Sequence, residues 1–285
     1  MVWTMYFCSI YAVAILPLTL AAPRPPDSND KYFEGDMIMS KSLKKHLWKR
    51  PEQPEGGSET AERTTLVTLE STLLDGKDYK WPKGADGWVR VPYDFADTYF
   101  EYDKRKIRNA LAGFAQKTCV KFVPRQRSDR DYVRFTEEAG CFAVVGRVGL
   151  QQKISLGSGC KNWQTIQHEA MHSLGFFHEH NRPDRDAFVQ VNWGNIRRSA
   201  QKQFEKRVNN EIDRNNNGGY DYASILHYKV WDASNNVLWT VRPKWRGWQN
   251  FGGWSKAWYH LMVKYPFNTP LSDGDIRKIK HMYNC

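Results

Sequence analysis

The apolar residues of this chain fall into three regions with different patterns. Residues 1–21 carry no charged side chain and are mostly apolar from Tyr6 to Leu20. Residues 22–63 are rich in Pro, Ser, Glu and Lys, and their few apolar residues follow neither the helical nor the strand period. Such a segment buries too little apolar surface to fold alone, whereas the composition from about Trp81 onward is that of a folded domain.

Periodicity predicts both helices and strands beyond Trp81. Apolar residues at helical spacing predict a helix over residues 104–118, and a second helix is predicted over residues 165–174. Ser272 precedes Asp275 by three positions, which is capping-box spacing, and predicts a helix to about Met282. Short runs rich in β-branched and aromatic residues predict strands at 88–93, 132–135, 143–145 and 153–156.

The amino-terminal apolar segment predicts export. It is short for a membrane span, and Thr19-Leu20-Ala21 offers the small-residue pattern of a signal-peptide cleavage site. Because no Lys or Arg precedes the apolar run, an uncleaved anchor is the alternative, but Pro17 and the prolines of residues 23–26 break the segment. We therefore expect a signal peptide over residues 1–21, a secreted protein and no transmembrane segment.

Cysteine usage agrees with export. Of the five cysteines, Cys8 would leave with the signal peptide, and four would remain. An even number in an exported chain indicates two disulfides, and the spacing alone leaves three connectivities open. A four-cysteine zinc site is the competing interpretation, but the chain contains no C-x-x-C pair.

The formal charge of +11 is unevenly distributed. Residues 22–63 carry eight basic and eight acidic side chains, so the excess lies in residues 64–285. Between Lys229 and Tyr265 there are six Lys or Arg residues and a single acid, Asp232. In an exported chain this pattern suits an acidic substrate, a matrix polyanion, a membrane surface or a solvated basic face, and we expect no nucleic-acid partner.

Residues 168–178, His-Glu-Ala-Met-His-Ser-Leu-Gly-Phe-Phe-His, carry the clearest chemistry. On a helix, His168 and His172 leave the same face one turn apart, and Glu169 can reach a water bound between them. Gly175 can adopt a positive φ, end the helix and return His178 to the same point. A helix that carries two histidines by chance is the alternative, and the added G-x-x-H argues against it.

Three neutral imidazoles with an open fourth position are the arrangement of a catalytic zinc, whereas a structural zinc closes all four positions. The sequence therefore predicts one Zn²⁺ per chain with His168, His172 and His178 as ligands. Glu169 is the expected general base, which takes a proton from water and passes it to the leaving amine.

Further motifs narrow the class. Residues 178–186, His-Glu-His-Asn-Arg-Pro-Asp-Arg-Asp, resemble the extended zinc signature of the astacin metallopeptidases, and Glu179 distinguishes it from related metzincin groups. Residues 220–228 resemble the family's second signature, and Phe-Glu-Gly-Asp at residues 33–36 resembles its inhibitory pro-segment motif. The domain edges match at Lys117–Cys119 and Met282–Cys285, so the resemblance covers roughly residues 30–285.

The resemblance implies an α+β fold of metzincin type with two subdomains around a cleft. A twisted mixed sheet with helices would lie above the cleft and end at Gly175, and a largely irregular lower subdomain would be closed by a C-terminal helix. It also implies the disulfides Cys119–Cys285 and Cys141–Cys160. The second closes a loop of about twenty residues, which the entropy model values at roughly 3 kcal/mol.

The resemblance further implies a minimal domain plan. Residues 1–21 would be the signal peptide, 22–70 the pro-segment and 71–285 the catalytic domain. The boundary between the last two lies between about 63 and 73. Arg63 is a candidate cleavage point, although alignment to Trp81 favours a terminus near 70–73.

Three more residues receive roles from the resemblance. Tyr228 would be both a catalytic residue and an additional zinc ligand in the resting enzyme, leaving the metal to stabilise the oxyanion. Asp36 would bind the zinc in the zymogen, with Gly35 allowing close approach, and Glu179 would pair with the mature N-terminus. His180 is not included among the ligands, and His227 is assigned to packing and hydrogen bonding.

The chain departs from the family pattern at two positions. Leu226 stands where the second signature has Met beneath the zinc ligands, and a swap of such similar volume costs under about 1.5 kcal/mol. Residues 146–151 resemble the rim strand that pairs with extended protein or peptide substrates, and Leu150 replaces a common Gly there.

Five tryptophans alternate with basic residues between Trp239 and Trp258. This segment is expected either to form a Trp-rich cluster beneath a basic surface or to build a pocket that favours acidic or aromatic residues after the cleaved bond.

The leading function is a secreted, zymogen-derived zinc endopeptidase. The alternative is a catalytically weakened astacin-fold protein that binds matrix or membrane through this basic segment.

Overall fold

A computed structural model describes residues 35–39, 79–207, 219–244 and 271–285. The predicted signal peptide, most of residues 22–70 and most of the Trp-rich segment lie outside the described residues. Within them, no helix is both long enough and apolar enough to cross a membrane.

A mixed sheet organises the first half of the domain. Its strand order is β1-β5-β6-β4-β2-β3, and every neighbouring pair is parallel except β5 and β6. The bounds are β1 Met37–Ile38, β2 Val89–Phe95, β3 Val120–Pro124, β4 Tyr132–Thr136, β5 Cys141–Val144 and β6 Gln151–Leu156. The four predicted strands correspond to β2, β4, β5 and β6, whereas the sequence patterns did not predict β1 and β3.

Two helices cover the sheet. Helix α1, Glu101–Lys117, buries Ile107, Ala110, Leu111 and Phe114 against the sheet and against helix α2, Trp163–Ser173. Both helices were predicted, and their observed starts lie two or three residues earlier. The side chains on the buried face of α2 anchor the helix in the core, which fixes the direction of its opposite face.

Gly175 marks the change from the first half to the second. Its φ is +100°, and a Cβ at this position would lie 3.2 Å from the ring of Tyr79. Only glycine fits this combination without strain, so the chain can leave α2 sharply here.

The second half of the described domain has little regular structure. It contains four short 3₁₀ segments, a two-stranded antiparallel ribbon and one α-helix. The ribbon pairs β7, Val189–Val191, with β8, Val241–Pro243, and the helix is α3, Asp273–Tyr283. The predicted capping box is present, since Ser272 Oγ accepts from the Asp275 amide at 2.9 Å and Asp275 Oδ2 accepts from the Ser272 amide at 3.1 Å.

Two disulfides link distant parts of this fold. Cys119, at the end of α1, bonds to Cys285, which follows α3, and Cys141 of β5 bonds to Cys160 before α2. These are the pairings that the family resemblance implied. The first bond joins the two halves of the domain across 166 positions of sequence.

Candidate metal centre

The centre begins on helix α2. Asn162 caps the helix by accepting from the Thr165 amide at 2.9 Å, and Ile166, Ala170 and Met171 are buried in the core. The face opposite the core carries the two histidines of the H-E-x-x-H motif. Their Nε2 atoms are 3.0 Å apart, as the i, i+4 spacing predicted.

The turn at Gly175 brings a third imidazole to the same point. The Gly175 amide donates to the His172 carbonyl at 2.8 Å, and the chain then returns toward α2. His178 is fully buried, and its Nε2 lies 3.3 Å from that of His168. The structure therefore brings together the three histidines that the sequence selected.

Backbone carbonyls orient two of the rings. His168 Nδ1 lies 2.7 Å from the Ile225 carbonyl, and His172 Nδ1 lies 2.7 Å from the Phe176 carbonyl. A carbonyl can only accept, so each Nδ1 carries the proton and each Nε2 keeps a lone pair directed at the centre.

Asp36 supplies the fourth donor. Its Oδ2 lies 3.3 Å from His168 Nε2 and 3.2 Å from His178 Nε2, and its Oδ1 lies 3.8 Å from His172 Nε2. The ligand atoms of all four side chains lie within 4.8 Å of one another. Residues 132 positions apart in sequence thus meet in one cluster.

These donors fit a zinc ion. Zn–N bonds of 2.0–2.1 Å in a tetrahedron place neighbouring ligand atoms about 3.3 Å apart. The separations of 3.0–3.3 Å between these nitrogen and oxygen atoms match that edge. Lone pairs directed at one another repel, so a cation between them accounts for the arrangement. The three imidazoles and the carboxylate are a suitable donor set for zinc.

Burial and neighbouring charges set the protonation of the donors. Burial, helped by His168, holds the pKa of His172 well below its usual value, which favours the neutral form that a metal needs. Burial would raise the pKa of Asp36, but attraction to the neighbouring imidazoles, above all His178, holds it well below the usual range.

Glu169 lies beside this cluster and is 1% exposed. Within the described part of the chain, its Oε2 has no hydrogen-bond partner. Burial and the nearby Asp36 carboxylate raise the pKa of Glu169 well above its usual value. A buried carboxyl oxygen without a partner is costly to keep, which is expected of a group held for chemistry.

Tyr228 packs against the centre without joining the donor cluster. Its ring lies 4.9 Å from the His178 ring and stacks on His180 at 3.9 Å. Its hydroxyl donates to Gln203 Oε1 at 3.2 Å. The predicted role as a zinc ligand in the resting enzyme therefore belongs to a state other than the one described, and it stays a prediction.

Glu179 already has cationic partners. Its carboxylate pairs with Lys278 of α3 and with Arg182 Nη1 at 3.3 Å, and it accepts from the Asp221 amide at 2.9 Å. Burial raises the pKa of Glu179 against the attraction of these cations. The expected pairing with a mature N-terminus stays a prediction, and in this structure Lys278 supplies the ammonium group.

The stretch of chain that carries the three histidines matches a known family. The family model described as Astacin (Peptidase family M12A) matches residues 77–284. The chain belongs to the astacin family. Several curated members are similar along the same stretch, which confirms the family predicted from the motifs.

Similar astacin proteins occur in Caenorhabditis elegans and in the fish Oryzias latipes. Zinc metalloproteinase nas-4 is 39% identical, covering 72% of this chain and 59% of that protein, and nas-13 is 37% identical, covering 69% and 40%. The low choriolytic enzyme of O. latipes is 45% identical, covering 52% and 54%. The chain thus spans about half the length of the curated relatives it matches.

A solved astacin structure confirms the fold. High choriolytic enzyme 1, a hatching enzyme zinc-protease from O. latipes, superposes with a TM-score of 0.60 at 32% identity. The match covers 72% of this chain and 94% of that one. The predicted α+β metzincin architecture, with a mixed sheet and a more irregular second half, is therefore confirmed.

The astacin second signature contacts the centre through the Ile225 carbonyl and the Tyr228 ring. Leu226, in place of the usual Met, is 3% exposed, and its carbonyl accepts from the Glu179 amide at 3.0 Å. His227 is buried and bonds to Tyr220 and the Tyr228 carbonyl, as its packing role requires. Burial lowers the pKa of His227 to about 3.

The strand predicted at the rim of the cleft, residues 146–151, differs from what the structure shows. Residues 146–150 are irregular, and in them the Gly146 amide donates to the His172 carbonyl and the Arg147 amide to the Tyr79 carbonyl. The sheet edge that pairs with an extended segment consists of β5 and Val145. In this structure β1 is the segment paired with it. The predicted rim strand was wrong because two glycines at positive φ, Gly146 and Gly149, interrupt it.

Little of the Trp-rich segment lies in the described residues. Trp239 stacks under Arg242 at 4.3 Å, and Arg242 also donates to Gln190 Oε1. The remaining four tryptophans lie outside the described residues.

Four residues around the centre were given no role from the sequence. Gln203 and Lys278 lie outside the motifs and contact Tyr228 and Glu179. Ile225 and Phe176 lie inside the motifs, and their carbonyls accept from His168 and His172. For Ile225 the signal was its place in the second signature.

Proposed function

We propose that this chain is a secreted zinc endopeptidase made as a latent zymogen. The observation that carries this proposal is the position of Asp36, whose carboxylate completes a four-donor set with three histidines. With Asp36 present the site is closed, as in a structural zinc site. Without it, three protein ligands and one open position remain, as in a catalytic site.

Glu169 is the proposed general base. Bound zinc supplies Lewis acidity and lowers the pKa of water from about 15.7 to about 7. The Glu169 carboxylate takes the proton of the attacking water and delivers it to the leaving amine. Its buried Oε2, which has no hydrogen-bond partner among the described residues, supports this role because no such bond has to break first.

Tyr228 is the proposed oxyanion donor. Its ring already lies against His178 and His180, so a rotation of the side chain would carry the hydroxyl across the centre. A neutral phenol donates a hydrogen bond to the oxygen that gains charge when water attacks the carbonyl.

Substrates are proposed to lie along the edge of β5. In this structure the Ala143 amide donates to the Asp36 carbonyl and the Val145 amide to the Ile38 carbonyl, both at 2.9 Å. These amides would donate to an extended peptide once the pro-segment has left. Main-chain pairing of this kind suits unfolded or loop segments of proteins.

Residues 1–21 are proposed as the signal peptide, 22–70 as the pro-segment, with a boundary near 63–73, and 71–285 as the catalytic domain. Two disulfides support export because they persist in oxidising compartments. The contact between Gly35–Met39 and the centre supports the pro-segment assignment.

The proposal is tested by casein hydrolysis with the full precursor, the precursor carrying Asp36→Ala, and the processed form. We expect the first to be inactive and the other two to be active, with loss of activity in a zinc chelator. A latent Asp36→Ala precursor would contradict the switch. Absence of chelator-sensitive hydrolysis in the processed form would instead support a catalytically weakened binding protein.

A further inference from the structure

Gln203 contacts both the pro-segment and Tyr228. Its Oε1 accepts from the Tyr228 hydroxyl at 3.2 Å. Gly35 packs against the same amide group, where a Cβ would come within 2.8 Å of Gln203 Cδ and Nε2 and 3.0 Å of Oε1. Because Gly35 has a φ of +96° and directly precedes Asp36, docking of Asp36 also packs the pro-segment backbone onto this amide.

The main chain of Gln203 is fixed to the metal-binding loop. Its carbonyl accepts from His180 Nε2 at 3.0 Å and from Asn181 Nδ2 at 2.8 Å. His180 in turn stacks on the Tyr228 ring at 3.9 Å. The backbone position is therefore set by the loop, and the side-chain amide is the part of Gln203 that pro-segment docking confines.

We propose that Gln203 is a positioning residue that holds the Tyr228 hydroxyl on its amide while the pro-segment is docked and releases it when the pro-segment leaves. This proposal rests on the proposed function, in which Asp36 and Tyr228 use the metal centre in turn. One docking event then places Asp36 in the centre and keeps Tyr228 out of it. The Tyr228–Gln203 hydrogen bond consequently stabilises the docked state.

The test follows opening of the pro-segment by hydrogen exchange. The Ala143 and Val145 amides donate to the pro-segment carbonyls of Asp36 and Ile38, so their exchange rates report its release. The protein is the zinc-loaded full precursor carrying Glu169→Gln, which prevents self-cleavage under the proposed mechanism. Amides between β4 and β6 serve as the internal reference for global unfolding.

Gln203→Met keeps the size of the side chain and removes the acceptor. We expect it to raise exchange of the Ala143 and Val145 amides about fivefold, the factor that one ordinary hydrogen bond is worth. Gln203→Glu keeps an acceptor and should leave the rates unchanged. Tyr228→Phe should raise them as Gln203→Met does, and the double variant should show no further increase.

Two results would overturn the proposal. Unchanged exchange in Gln203→Met would mean that the hydrogen bond does not support docking. An equal further increase on adding Gln203→Met to Tyr228→Phe would mean that Gln203 acts through Gly35 alone. If the reference amides also exchange faster in the Met variant, Gln203→Asn, which withdraws the amide by one methylene, replaces it with the same expectation. These rates do not require peptidase activity, so failure of the proposed function is scored separately by the casein assay.

Discussion

At the scale of single residues, the centre depends on groups that carry no chemistry of their own. The carbonyls of Ile225 and Phe176 fix the tautomers of His168 and His172, and so direct two Nε2 lone pairs inward. The spacing of the histidines was predictable because a helix has a fixed period. The identity of the carbonyls was not, since Ile225 reaches His168 across 57 positions of sequence.

Replacing Glu169 with Gln should abolish catalysis and spare the metal site. The amide keeps the volume of the carboxyl but cannot take a proton, so we expect kcat/KM of the processed form to fall by about 10²–10⁴-fold. Zinc content measured by atomic spectroscopy should remain one per chain. Glu101→Gln, at an exposed carboxylate on α1, is the matched control and should leave both quantities unchanged.

Replacing Tyr228 with Phe should reduce kcat far more than zinc content. The ring contacts with His178 and His180 would remain, and only the hydroxyl would be lost. Removing one oxyanion donor costs about 10²–10³ in kcat. Tyr102→Phe, at an exposed tyrosine, is the control. A parallel loss of zinc and of kcat in Tyr228→Phe would refute the assigned role.

At the scale of elements, amphipathic segments were predictable and pairings between them were not. Helix α1 and strands β2, β4 and β6 followed from alternating or helical apolar spacing. Strand β3 follows α1 with only two intervening residues and was missed because Lys121 interrupts its short apolar run. Lys278 and Glu179 lie 99 positions apart in sequence, and no local pattern predicts that they pair.

Lys278 should hold helix α3 against Glu179, the residue that follows the ligand His178. Replacing it with Met leaves Glu179 buried with a weaker set of partners, and loss of one member of a buried ion pair costs about 3–5 kcal/mol. For a domain of this size we expect the thermal midpoint to fall by about 10 °C.

Two variants make this measurement specific. Lys104→Met removes a lysine that pairs with exposed Glu101 on α1, and it should cost no more than about 1 kcal/mol. Adding Glu179→Gln to Lys278→Met should recover part of the lost stability because the buried charge is gone. If Lys278→Met behaves like Lys104→Met, Lys278 does not neutralise Glu179.

At the scale of the whole molecule, the metal centre joins the two halves of the domain. His168 and His172 belong to α2, His178 begins the second half, and Asp36 comes from the proposed pro-segment. The family and its fold were predictable because several motifs occur in the same order. The sheet edge on which the proposed pro-segment lies was not predictable, because Gly146 and Gly149 at positive φ end the strand before residue 146.

Removing the metal should therefore destabilise the precursor as well as inactivate the processed form. At a zinc concentration 1,000-fold above Kd, binding stabilises a fold by about 4 kcal/mol, so a chelator should lower the thermal midpoint by roughly 10 °C. Added zinc should restore it. His168→Gln should abolish this response, whereas His281→Gln, at an exposed histidine on α3, should retain it.

The short strand β1 has a consequence for colloidal behaviour. By pairing with β5 it covers donors and acceptors at the edge of the sheet that the other five strands form. An uncovered strand edge is a template for pairing with another chain. Departure of the proposed pro-segment would thus expose an unpaired strand edge, so the form without residues 35–39 should associate with other chains at lower concentration than the full chain does.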